Sequence, residues 1–248
     1  MIEIAARDPQ AVALVAAIQT GDVDALQRML DETPALATAR IVDEQRVSRT
    51  LLHIVADWPG HFPNAARAAR LLIERGADPD ARVVIPGRAG KGEAPLHWAA
   101  SSDDVALIEA LLDAGASLEV TGAVFTGGTP MSDAVVFAQW KAARRLLERG
   151  ARTTIWQAAA LGLLDRVQEA FTSGEPPSDH DVTNAFWNAC RGGQQAAAEL
   201  LLARGAGVNW IGHDGKTPLD AAQESGNAEL LAWLRQQGAT ASPHRAHG

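Results

Sequence analysis

Cysteine is almost missing: one residue in 248, Cys190, so no disulfide can form within the chain. That usage points to a reducing compartment, and a cytoplasmic protein is expected. No run approaches the roughly 20 apolar residues that a membrane helix needs. The segment Met1 to Asp8 carries acid early and lacks the basic, apolar, small-residue order of a secretory signal. Positive charge is also short, with 22 basic against 30 acidic residues and a formal net charge of −8, which argues against a generic nucleic-acid surface. Tyrosine is absent, while tryptophan occurs seven times. Catalytic signatures are missing too: there is no His-Glu-x-x-His, no Cys-x-x-Cys and no Gly-x-Ser-x-Gly. Metal binding needs three or four convergent ligands, and only Asp57 and His61 are obvious neighbours, so neither metal nor cofactor is expected. Gly87-Arg88-Ala89-Gly90-Lys91-Gly92 has the glycines of a phosphate loop but neither its spacing nor the hydroxyl after lysine, and reads as the mobile tip of a long finger over Arg82 to Glu93.

What the chain does have is a repeat. A Leu-Leu-x-x-Gly-Ala type ending occurs at Leu71-Leu72 to Gly76-Ala77, Leu111-Leu112 to Gly115-Ala116, Leu146-Leu147 to Gly150-Ala151 and Leu201-Leu202 to Gly205-Ala206, and weakly at Leu234 to Gly238-Ala239. A second anchor precedes the endings: Thr50-Leu51-Leu52-His53, Ala94-Pro95-Leu96-His97-Trp98-Ala99-Ala100, Thr129-Pro130-Met131-Ser132 and Thr217-Pro218-Leu219-Asp220. The offset from anchor to glycine is 21 residues in three cases, from Ala94 to Gly115, Thr129 to Gly150 and Thr217 to Gly238. Applied backwards from Gly205, it lands on Asn184. Thr or Asn caps a first short helix and proline fits its first turn, where an N–H has no partner to lose. A second, Leu-rich helix ends at glycine, which supplies the left-handed cap. Such a unit is too small to bury its apolar face alone and must stack on its neighbours.

The pattern resembles the ankyrin repeat, with its Thr-Pro-Leu-His-x-Ala anchor and period of about 33. The resemblance implies an all-α repeat solenoid of helix-turn-helix units with β-hairpin fingers. About seven units are expected over residues 1–240, near 9–44, 45–89, 90–124, 125–152, 153–181, 182–212 and 213–240, followed by a flexible tail over 241–248. The first unit lacks the anchor but breaks at Gly21-Asp22, and the fifth, Ile155 to Phe171, lacks the glycine ending. The chain is also similar to a group of bacterial ankyrin-repeat proteins in Asp57-Trp58-Pro59-Gly60-His61-Phe62-Pro63, Leu96-His97-Trp98-Ala99-Ala100-Ser101-Ser102-Asp103-Asp104 and Trp156-Gln157-Ala158-Ala159-Ala160-Leu161-Gly162. That similarity implies an architecture and carries no settled activity.

In this repeat type the first helices line a groove, so residues that depart from the repeat there are the candidates for function. The second unit carries five extra residues, which place Asp57, Trp58 and His61 in a loop between its helices. Groove positions implied by the resemblance add Trp98, Ser101, Ser102, Asp133, Phe137 and Asn188, with Trp140 at the groove's floor or rim. Aromatics beside carboxylates suit a peptide side chain or a small organic or cationic ligand. The leading expectation is therefore a non-enzymatic module that binds a protein or peptide partner, with a small-molecule ligand as the other option. The alternative is a cofactor-independent enzyme of proton transfer, such as isomerisation, cyclisation or hydrolysis. It would use Asp57, His61 and Asp133 as acid or base groups and Trp58, Trp98 and Phe137 as an apolar clamp. His53 and His97, at the anchor, are expected to bond the backbone of the adjacent unit. Ser132, Trp156, Trp187 and Asp220 are read as their replacements. Trp156, Trp187 and Trp233 are expected in the core, and Cys190 buried and inert.

Overall fold

A computed structural model describes residues 2–87 and 92–242, so Arg88 to Lys91 of the long finger and the tail from 243 lie outside the described residues. Fourteen α-helices follow one another in pairs among these residues, one pair for each expected unit. They divide into two compact units, one up to Arg152 and one from Thr153 onward.

The N-terminal unit holds α1 (Pro9–Thr20) and α2 (Val23–Glu32), α3 (Leu51–Val55) and α4 (Ala65–Glu74), α5 (Pro95–Ser101) and α6 (Val105–Asp113), and α7 (Pro130–Val136) and α8 (Trp140–Glu148). First helices pack on first helices, α3 on α5 and α5 on α7; second helices form the other row, α4 on α6 and α6 on α8. Proline opens α5 and α7, and Thr50 caps α3 by accepting the His53 N–H. Between the pairs, glycines such as Gly76, Gly115 and Gly150 hold positive φ after the second helix.

A small sheet precedes α3, an expected hairpin finger to which one unforeseen strand is added. Strand β1 (Glu3–Ala5) runs parallel to β2 (Arg40–Val42), with Glu3 opposite Arg40, and β2 pairs antiparallel with β3 (Ser48–Thr50). The hairpin is the first finger; β1 joins it from 35 or more residues away, a pairing no local pattern announces. Arg40 is buried here, and its guanidinium donates to Ser48 Oγ (2.8 Å), the Ser48 carbonyl (2.6 Å) and the Arg82 carbonyl (2.6 Å), which ties this finger to the next one.

The C-terminal unit holds α9 (Ile155–Leu161) and α10 (Leu164–Glu169), α11 (Asp179–Arg191) and α12 (Gln195–Ala203), and α13 (Pro218–Ser225) and α14 (Ala228–Gln236). Its core joins Ala159, Val167, Phe186, Cys190, Leu201, Leu230 and Leu234. Burial pushes the Cys190 thiol far up, so it stays protonated and unreactive. Helix α11 begins well before Asn184, capped by Ser178 just after Pro176-Pro177, so Asn184 is an interior residue rather than the cap that the 21-residue offset implied. Helix α10 is only six residues long and buries just Val167, against five buried residues in α6. Its amides are expected to exchange hydrogen faster than those of α6 and α8, and equal protection in exchange mass spectrometry would show that it packs as firmly as they do.

Candidate functional site

The anchor histidines set the frame. The Thr50 N–H donates to His53 Nδ1 (3.3 Å), which leaves the proton on Nε2, and Nε2 donates to the Glu93 carbonyl of the next repeat (3.0 Å). His97 repeats this, with the Ala94 N–H on Nδ1 (3.2 Å) and Nε2 on the Gly128 carbonyl (3.2 Å). Burial holds both rings neutral by lowering their pKa values, to about 3 for His53 and about 4 for His97. Trp187 does the same work in the sixth repeat, where its buried indole donates to the Lys216 carbonyl (3.0 Å). In the seventh, Asp220 accepts the Ser242 N–H (2.9 Å). In the fifth, Gln157 holds the anchor position, three residues after the cap Thr154, with its Oε1 on the Thr154 N–H (2.8 Å). Assigning Trp156 there was one residue out of register; Trp156 packs at the edge of the core instead.

The loop of the second repeat is pinned on both sides. The Asn64 side chain donates to the Gly21 carbonyl of the first repeat (2.9 Å). Gly21 has φ near 71°, and a Cβ there would strike the Pro63 carbonyl at 2.3 Å, so the loop rests directly on its backbone. Toward the third repeat, the His61 N–H donates to Asp104 (3.1 Å) and His61 Nε2 meets the Ser102 carbonyl (2.8 Å). A Cβ on Gly60 would meet the Ser102 side chain at 2.7 Å. His61 thus staples two repeats and is no free imidazole. Asp57 pairs with Arg49 (3.2 Å) and accepts the Trp58 N–H (2.9 Å); burial raises its pKa, and the Arg49 charge opposes the rise. Trp58 has no such duty, and 85% of it is exposed.

The third and fourth repeats hold the remaining candidates. Trp98 is half buried: its indole donates to Glu93 (2.8 Å), and it packs edge to face on His53 at 5.0 Å. Ser101 Oγ turns back to the Trp98 carbonyl (2.9 Å). The other Glu93 oxygen accepts the Val124 N–H (2.9 Å), which fixes the root of the finger between the third and fourth repeats. That finger brings Phe125 edge to face with Phe137, 5.8 Å between centroids, one helical turn beyond Asp133 on α7. Asp133 was expected to present a carboxylate to the groove; it is buried instead, 1% exposed, with neither oxygen hydrogen-bonded. Desolvation, and then the Glu93 charge, raise its pKa to about 8. Trp140 opens α8 and is half buried. Asn188, in the C-terminal unit, is buried against Asn184 (2.9 Å to its carbonyl) and offers no contact surface.

Asp57, His61 and Asp133, the acid and base groups of the enzyme reading, therefore have separate surroundings: Arg49, the Ser102 carbonyl and the Glu93 field. Nothing in this geometry supports proton transfer among them. No group of three or more His, Cys, Asp or Glu able to hold a metal occurs among the described residues. The sequence reading missed Glu93, which ties Trp98 to a finger, and Phe125. Its signal was an aromatic residue set in a loop of glycine and threonine.

Paired helices held by an anchor side chain that reaches the next repeat define a helical repeat protein. The family model for ankyrin repeats in three copies matches residues 155–244, and that for the single ankyrin repeat matches 48–83 and 91–123. The chain belongs to the ankyrin-repeat family, whose members typically serve as protein-interaction modules. Among solved structures it is similar to the human ASB11 ankyrin repeat domain, with 21% identity and a TM-score of 0.49 over 92% of this chain and 98% of that one. No helix of the described residues is long and apolar enough to cross a membrane.

Proposed function

We propose that the chain is a protein-binding module that holds a segment of a protein partner on the first-helix face of the second to fourth repeats. One observation carries this reading. Trp58, Phe125 and Phe137 stay 85%, 70% and 41% exposed, and these three exposed aromatic side chains among the described residues all lie in the second to fourth repeats, with Val124 (47%) beside Phe125. Large apolar side chains left in water on firmly held backbone mark interaction surfaces, and aromatic residues dominate binding energy at such surfaces. Trp58 and Phe125 sit on loops fixed by buried or paired polar contacts, so little ordering entropy is lost when a partner covers them. The low cysteine content supports the cytoplasm as the compartment in which this binding takes place.

The test begins with peptides selected from a random display library on the full chain. The double variant Phe125→Ser, Phe137→Ser should bind them at least about tenfold more weakly and melt within a few degrees of the native chain. Arg67→Ala, whose pairing with Asp24 is exposed on the second-helix side, should bind as the native chain does. Equal binding by the double variant and the native chain would contradict the reading.

A further inference from the structure

Asp133 poses a problem that packing does not answer. A carboxyl at a first-helix position normally faces water or a partner group, yet both of its oxygens are buried and without a hydrogen bond. Its charged neighbour is another carboxylate, Glu93, whose oxygens are already taken by the Trp98 indole and the Val124 N–H. Among the described residues no salt bridge reaches either group: Arg49 is paired with Asp43 and Asp57, and Arg82 donates to the Gly92 and Thr121 carbonyls. A hydrophobic side chain would fill the same space at lower cost, as Ile54 does at the matching position of the second repeat.

We propose that Glu93, bound to the Trp98 indole and to the Val124 N–H next to Phe125, and Asp133, one helical turn before Phe137, form a subsite for a guanidinium group, so that the partner segment presents an arginine there. This rests on the docking face proposed above and names what that face reads. A guanidinium carries paired donors in a planar fork, which matches two free oxygens of one carboxylate. Its face is at home among aromatic rings, which here are Trp98, Phe125 and Phe137. Entry requires only that the exposed Phe125 ring rotate away from Phe137, while the Val124 N–H bond to Glu93 keeps the root of the finger in place. The net charge of −8 favours a basic partner segment. An arriving cation turns Asp133 from the neutral acid to the carboxylate, and its proton leaves to solvent.

The experiment uses the full chain and two small probes, N-acetylargininamide and its neutral isostere N-acetylcitrullinamide. The Asp133 carboxyl carbon is followed by NMR against pH, with Asp133→Asn for assignment. Argininamide should lower the Asp133 midpoint by about one pH unit or more, and citrullinamide should leave it in place. Glu93→Gln should remove most of the argininamide effect. The proposal is overturned if both probes act alike, if neither moves the midpoint, or if the argininamide effect survives Glu93→Gln unchanged. It is also overturned if Arg88→Ala or Lys91→Ala raises the midpoint without any probe, because the chain would then fill its own site. These readouts need no partner peptide, so failure to select peptides would defeat the docking face while a specific midpoint shift would stand.

Discussion

Asparagine at position 133 is expected to remove a fall in stability that the native chain shows between about pH 4 and about pH 8. The Asp133 carboxyl has a raised pKa, about 8 in the folded chain against 3.8 for an ordinary aspartate. Across that interval the folded chain keeps a proton that the unfolded chain has lost. Stability therefore declines as pH rises through the window and levels off above the folded pKa. Each pH unit corresponds to about 1.4 kcal/mol, so the native chain should lose ~4 kcal/mol relative to Asp133→Asn between pH 5 and pH 8. His53 and His97 add a slope of the opposite sign. Their folded pKa values lie near 3 and 4, below the ordinary 6.5, so both cost stability as pH falls below that value. They are present in both chains and cancel in the difference. Urea unfolding of the two chains across this range measures the effect; parallel curves would show that Asp133 is ordinarily solvated in solution.

Deleting the seventh repeat, Thr217 to Ala239, should abolish cooperative folding of the C-terminal unit. Leu219, Leu230 and Leu234 share one core with Phe186, Cys190 and Leu201. At about 1.5–3 kcal/mol for each buried leucine, the loss is ~5–9 kcal/mol before the newly exposed partners are counted. That is comparable to the whole stability of a domain of this kind. The truncated chain should therefore aggregate or lose a melting transition in calorimetry. A soluble truncation whose residues 153–216 still unfold cooperatively would contradict repeat-on-repeat stabilisation.

Which features were legible in the sequence follows from how local their causes are. Caps, prolines and glycine endings act within a few residues, so α5, α7 and α13 begin where the Ala-Pro and Thr-Pro anchors place them, and Gly21 breaks the first pair as read. Register failed in the fifth repeat, and in the sixth the anchor Trp187 held while the start of the helix did not. There Gln157 replaces the anchor histidine and α11 extends back to Asp179, and neither departure leaves a Thr-Pro mark. The site was harder, because its geometry comes from non-local contacts. Five inserted residues in the second repeat announced a loop, yet only packing reveals that His61 is spent on Ser102 while Trp58 is left outside. Asp133 sits at a position that commonly faces a groove, and it is buried all the same. Phe125 went unnoticed because fingers carry no fixed register.

A partner is expected on the first-helix face of the second to fourth repeats. Amide chemical-shift mapping of the full chain with a selected peptide tests it most directly. The largest perturbations should fall on Trp58, Trp98, Val124, Phe125 and Phe137, with the second helices α4, α6 and α8 nearly silent. Perturbations concentrated on α4, α6 and α8, with Phe125 and Phe137 unmoved, would place the partner on the opposite face and contradict it.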